Sequence, residues 1–212
     1  MLELHWVAGQ SALDLQRTLR NGPWHILHFI GHGGFDSQRD EGFLALASTG
    51  DHYEPLYAST LVRLLAAQRA NLRLVLLNAC EGARAGKLDI FSSTAAVLVA
   101  SGPPAVLAMQ YAITDGAAMQ FAQTFYESLA DNWPIDAAVA EARNAMTLRD
   151  RHSLEWGTPV LFLRSEDGQL FDLSAEGGVP NPPNNPGISE DSGIVRTAPL
   201  RLGPSRQLRH PS

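Results

Sequence analysis

The chain has 212 residues, 45% of them hydrophobic, enough to bury one sizeable core or two small ones. Its net charge of −6 with scattered arginines leaves no basic footprint for nucleic acid, and its single cysteine excludes an internal disulfide and a multi-cysteine zinc site. No apolar run is long enough to cross a bilayer, and residues 1–20 lack the basic start, apolar stretch and cleavage site of a secretory signal, so the expected location is the cytoplasm, with no membrane partner.

A strand-length apolar run at 2–7 comes first, followed by an amphipathic helix over 11–20 with Leu15 and Leu19 four residues apart. A second strand over 24–30 runs into Gly31-His32-Gly33-Gly34, which reads as a glycine turn. Residues 60–70 put Leu61, Leu64 and Leu65 on one helical stripe, and a strand over 72–77 leads into Asn78-Ala79-Cys80-Glu81-Gly82. Residues 88–100 are apolar almost all round and predict a buried helix, stopped by Gly102-Pro103-Pro104. Strands at Ala105–Met109 and 160–163 and helices at Asp115–Ala130 and 134–147 complete the order. Short continuous apolar strands alternating with helices predict an α/β fold whose parallel sheet is covered on both faces. From about residue 175, Gly177-Gly178, Pro180, Pro182-Pro183, Asn184-Asn185 and Pro186 follow one another without hydrophobic periodicity, so the chain divides into a domain over 1–174 and a disordered tail over 175–212.

In a parallel α/β sheet the carboxyl ends of the strands open on one edge, where ligands bind. His32 and Cys80 follow two of the expected strands at that edge, so a nucleophile and its general base meet there if the strands are neighbours. An imidazolium nearby lowers a thiol's pKa. The backbone N–H groups of Gly33 and Cys80 are the candidate oxyanion hole. His28 lies within an apolar strand and is expected to pack or to hydrogen-bond a neighbour. His28 and His32 have the spacing of a metal pair on a helix, but this segment reads as a strand and turn, and no metal is expected. Gly31-x-Gly33-Gly34 lacks the full spacing and the following helix of a dinucleotide loop. Met109-Gln110-Tyr111 reads as strand-end packing with a polar wall, Trp156 as core in place of subsite lining, and Asp36, Glu81 and Asp115 as loop or helix-start carboxylates, with Asp115 the best placed for function.

The sequence resembles the CHAT family, bacterial caspase-like peptidases related to caspases and separases. The likeness is carried by His28-Phe29-Ile30-Gly31-His32-Gly33, Leu76-Leu77-Asn78-Ala79-Cys80-Glu81-Gly82-Ala83, Ala108-Met109-Gln110-Tyr111 with Asp115, Ala138-Val139-Ala140-Glu141-Ala142-Arg143 and Glu155-Trp156-Gly157-Thr158-Pro159-Val160-Leu161, from about residue 2 to 171. From 32 to 80 is 48 residues, close to the known caspase pattern of a histidine about 50 residues before the cysteine, and Asn78 stands where that pattern has glutamine.

The resemblance implies a caspase-like, mostly parallel sheet flanked by helices and hydrolysis of a protein partner through a thioester, with His32 and Cys80 as the catalytic pair and no cofactor. It also implies a setting in bacterial defence or regulated cell death, an Asp115 that selects a basic residue before the scissile bond, and an Asn78 beside the substrate. Other readings are a non-catalytic caspase-like scaffold and a different thiol hydrolase. Family members carry a further strand and helix before the segment matching 2–7, with that strand lying between the 2–7 and 24–30 strands. The expectation is therefore a domain lacking its usual first strand and helix, one that an activating or completing protein partner would finish.

Overall fold

In the computed structural model, which describes residues 3–7, 9, 11–47, 53–79 and 90–173, the apolar runs form the middle of a sheet. Six strands are found among the described residues: β1 (Ile26–Asp36), β2 (Glu41–Ala47), β3 (Tyr53–Tyr57), β4 (Leu74–Ala79), β5 (Ala105–Met109) and β6 (Pro159–Leu163). Their order is β3-β2-β1-β4-β5-β6. β4 runs parallel to both β1 and β5, while β2, β3 and β6 join as antiparallel neighbours, so β1, β3, β4 and β5 point one way. The result is the expected mostly parallel α/β sheet of the caspase-like kind, mixed at its margins.

The continuous apolar strands are explained by helices on both faces. Along β4 and β5, Leu74, Leu76, Ala105, Leu107 and Met109 turn towards Phe121, Phe125, Ala138 and Ala142 of α4 (Asp115–Ala130) and α5 (Ile135–Arg149). The alternate residues Val75, Leu77, Val106 and Ala108 meet Leu19 of α1 (Ala12–Arg20), Leu61 and Leu65 of α2 (Ala58–Leu65), and Leu98 of α3 (Ile90–Ser101). With both side-chain sets inside, neither set has reason to be polar. Truncating a ring such as Phe125, fully buried, would remove about 3–5 kcal/mol.

Helix ends follow their chemistry. Ser11 caps α1 in a capping box, its hydroxyl accepting the Asp14 N–H at 3.2 Å while the Asp14 carboxylate accepts the Ser11 N–H at 3.2 Å. α4 is capped by Thr114, whose hydroxyl accepts the Ala117 N–H, and Pro134 stands at the cap of α5, just before the first helical residue. α3 is not buried all round: Ala95 and Leu98 face inward, whereas Val97 is exposed.

Three expectations are corrected. Residues 3–7 form no strand; Leu4 and Trp6 are exposed, and among the described residues no strand pairs with them. Residues 31–34 are not a turn but the continuation of β1, and the chain reverses only after Asp36, whose carboxylate accepts the N–H groups of Gln38 and Arg39 and the Tyr57 hydroxyl. The Tyr57 hydrogen bond chiefly holds that carboxyl below its ordinary pKa. The β2–β3 hairpin was not anticipated. Its glycine and alanines are weak strand formers, and Pro55 argues against a strand, yet proline is tolerated because β3 is the edge of the sheet. All described residues fall in one compact unit, Met1–Pro180, and the expected tail over 175–212 lies outside them. Among the described residues no helix is long and apolar enough to cross a membrane.

His28 hydrogen-bonds its neighbour as expected: the Tyr126 hydroxyl of α4 lies 3.0 Å from Nδ1. Burial lowers the imidazole pKa from 6.5 to about 4 and raises that of the phenol, so the tyrosine donates to a neutral ring. Between these two values the unfolded chain binds a proton that the folded chain excludes. This contribution to stability is therefore intact above pH 6.5 and lost as pH falls toward 4, by roughly 3 kcal/mol. Urea unfolding should show the wild-type midpoint dropping over this window. The paired variant His28→Phe/Tyr126→Phe should flatten the dependence, and equal slopes would contradict the assignment.

Candidate active site

The site is built on the ladder between β1 and β4. Its parallel register pairs Ile26 with Leu74 and ends with Ile30 opposite Asn78 and Gly31 opposite Ala79. Gly31 immediately precedes His32 and Ala79 immediately precedes Cys80, so the two candidate residues follow directly from a paired position. Cys80 itself, with Glu81 and Gly82, lies outside the described residues.

His32 is exposed and sits on β1 opposite Ala45 of β2. Strand alternation puts it on the same face as Ile26 and His28, towards α4. Asn78, on β4 in phase with Leu74 and Leu76, belongs to that face too; it is only 8% exposed, and its Oδ1 is buried without a hydrogen-bond partner among the described residues. The structure thus brings His32 and Asn78 to neighbouring strands at one sheet edge. An amide oxygen left unsatisfied in a native fold calls for an explanation.

The glycines around His32 serve close packing instead of a turn. A Cβ on Gly31 would come 2.8 Å from the Phe29 ring, and one on Gly34 would come 2.5 Å from the Phe43 ring. Among the described residues positive φ at glycine is confined to Gly9 and Gly168, so 31–34 need no left-handed backbone. Gly33, the nominated oxyanion donor, is paired opposite Leu44. Four residues of strand separate His28 from His32 by roughly 13 Å, too far to share a metal ion, and among the described residues no cluster of three or more ligating side chains could hold one.

Met109, the last residue of β5, is buried core, and Gln110 just beyond it ties the loop to the segment before β6 through its side-chain N–H to the Gly157 carbonyl at 2.9 Å. Asp115 is exposed in the first turn of α4, where the helix dipole favours a carboxylate. A small cleft of about 110 Å³ opens beside it, lined by Thr114, Arg149, Glu155 and Trp156 among others, but not by Asp115. Glu155 accepts hydrogen bonds from the Thr114 N–H and hydroxyl and from Ser153, so it buttresses the start of α4 from 41 residues away. Sequence reading missed this role, since no local pattern marks it. Arg143 donates to the Pro159 carbonyl, and Thr158 is buried, so the later segments of the resemblance act chiefly by fixing β6.

A family model described as CHAT domain matches residues 7–177. No curated protein matches the chain.

Gly34→Ala should destabilise the fold by about 1–3 kcal/mol, because the Phe43 ring is stacked on Tyr53 and cannot swing aside freely. Adding Phe43→Leu should recover part of the loss. Chemical denaturation of the single and double variants checks this, and an unchanged midpoint in Gly34→Ala would contradict it.

Proposed function

The chain belongs to the CHAT domain family, which is caspase-like and peptidase-associated, and from that premise we propose that it is a cysteine endopeptidase using His32 and Cys80. The observation that carries the proposal is the pairing of Gly31 with Ala79, one residue before each member, on parallel strands about 4.8 Å apart. His32 takes the thiol proton, and the thiolate sulfur attacks the substrate carbonyl carbon. The Gly33 and Cys80 N–H groups stabilise the resulting oxyanion. As the tetrahedral intermediate collapses, the C–N bond breaks and His32 returns its proton to the leaving amine. His32 then draws a proton from water, whose oxygen attacks the thioester carbon; the C–S bond breaks, the acid is released, and the proton on His32 restores the Cys80 thiol. No metal or organic cofactor enters this sequence.

Asn78, with its unsatisfied Oδ1 on the same face as His32, is proposed as a polar contact for substrate backbone. Asp115 is proposed to favour arginine or lysine before the scissile bond through a bidentate, charge-assisted pair. The substrate is a protein, and the family likeness supports a cytoplasmic role in bacterial defence or regulated cell death.

Cys80→Ala and His32→Ala should each lower turnover of a protein substrate by about 10³-fold or more, with unchanged circular dichroism, because residues acting as one unit fail together. Normal turnover in either variant would remove the mechanism. In a peptide library, wild-type enzyme should prefer a basic residue before the cleaved bond and Asp115→Asn should lose that preference; a wild type indifferent to charge would exclude the role given to Asp115.

A further inference from the structure

β1 outruns its parallel neighbour. β4 is paired with it only as far as Ala79, opposite Gly31, whereas β1 goes on to Asp36 and holds β2 and β3 beside it. Its second half and the β2–β3 hairpin therefore stand past the paired end of β4 as a wall next to the candidate site. Residues directly opposite in an antiparallel pair share a face, so His32, Ala45 and Pro55 form one row of this wall and Gly34, Phe43 and Tyr57 the next.

The two faces of the wall differ. On one, Leu44 and Leu56 are buried in the core cluster that includes Leu61 and Leu98 of α2 and α3. The face that carries His32 is the α4 side of the sheet, but α4 and α5 pack over β4 and β5. Ile30, Phe43 and Tyr53 belong to neither core cluster among the described residues, and Ile30 and Tyr53 are 62% and 60% exposed. The rings are nevertheless ordered. Phe43 lies across Gly34, stacks on Tyr53 at 5.7 Å and meets Tyr57 edge-on at 5.9 Å. Polar groups close the far end, where Arg39 lies 4.5 Å over the Tyr57 ring and the Asp36 carboxylate accepts the Tyr57 hydroxyl. An apolar patch with a polar rim marks a contact surface, and one this short suits a side chain or two and not a long apolar segment.

Strand order decides which part of a substrate meets it. In the proposed reaction the carbonyl carbon bonds to the sulfur that follows β4, and the leaving nitrogen takes its proton from His32 on β1. The order β2-β1-β4-β5 then sends the chain on the nitrogen side towards β2 and β3, and the acyl part towards β5. We infer that the open face formed by Ile30, Ala45, Phe43 and Tyr53 is a specificity subsite for the leaving side of the substrate, taking a large apolar side chain, an aromatic ring best, on the second residue after the scissile bond. Gly34 is the next residue after His32 on that face, roughly 7 Å along the strand, which is the span of two extended residues, and the Phe43 ring lies on it. A substrate ring there gains offset or edge-on contact with Phe43 and Tyr53 in addition to burial. The inference rests on the peptidase reading and adds the part of the substrate that the enzyme selects.

The test uses the full chain and a peptide library made by cutting a proteome after glutamate, with the products sequenced by mass spectrometry. Phenylalanine, tyrosine, tryptophan and leucine should be enriched about fivefold or more at the second residue after the cut. One cleaved peptide is then compared with its twin carrying glycine at that residue. The kcat/KM ratio of the two should be about tenfold or more in wild type and below about threefold in both Phe43→Ala and Tyr53→Ala. Tyr53→Ala removes an exposed ring outside both core clusters, so the test survives if Phe43→Ala unfolds. Cleavage indifferent to that residue, or a wild-type ratio kept in Tyr53→Ala, would overturn the inference and leave the peptidase standing. A library left uncut would strike the peptidase reading itself, and the leaving-side assignment with it.

Discussion

The hydrogen-bonded register between β1 and β4 is the constraint on which the rest of the molecule depends. Each residue of β1 over 26–31 is paired with the residue 48 positions later, and 48 is also the separation of His32 from Cys80. A slip of one residue in this ladder would invert the faces of the paired side chains. It would carry Leu74 and Leu76 away from Phe121 and Phe125, and Asn78 away from the face that His32 shares. Core packing and site geometry are therefore fixed by one pairing. Two-sided burial of β4 holds it, since either alternate set of side chains pays for the same alignment.

The two edges of β1 are unequal in consequence. Where it meets β4 the strand is locked along its first half; on the other side, among the described residues, only its second half is held, by β2. His32 sits at the junction of the two halves. Backbone that is paired on one side alone opens more readily than backbone inside a full sheet. The residue proposed as general base thus lies beside the least supported part of the central strand. The buried His28–Tyr126 contact braces this half from the α4 face with a neutral hydrogen bond.

Much of this organisation was legible in the sequence. The strand at Ala105–Met109 and the helix at Asp115–Ala130 were read with their observed bounds, because a buried apolar run that starts just after Pro103-Pro104 and a capped amphipathic run are both local signals. The histidine at 28 was read correctly as a packed, bonded residue. What failed depended on partners distant in the chain. The run over 2–7 has strand character, but its described residues 3–7 pair with no described strand; 31–34 look like a turn until the Phe29 and Phe43 rings explain the glycines; and β3 contains a proline that only an edge position permits. Glu155 was illegible for the same reason, since its role as a support for α4 exists only once the chain has folded back. Of the site itself, the sequence motif supplied the residues and the ladder supplied the neighbourhood of His32 and Asn78.

The chain contains a single cysteine, so its alkylation by iodoacetamide reads Cys80 alone. The rate should be followed against pH in the wild type and in His32→Asn. If His32 and Cys80 form a working pair, wild-type reactivity will persist well below the free-thiol value of about 8.5, and the variant will titrate near that value. Two superimposable curves centred near 8.5 would contradict the pairing on which the proposed activity rests.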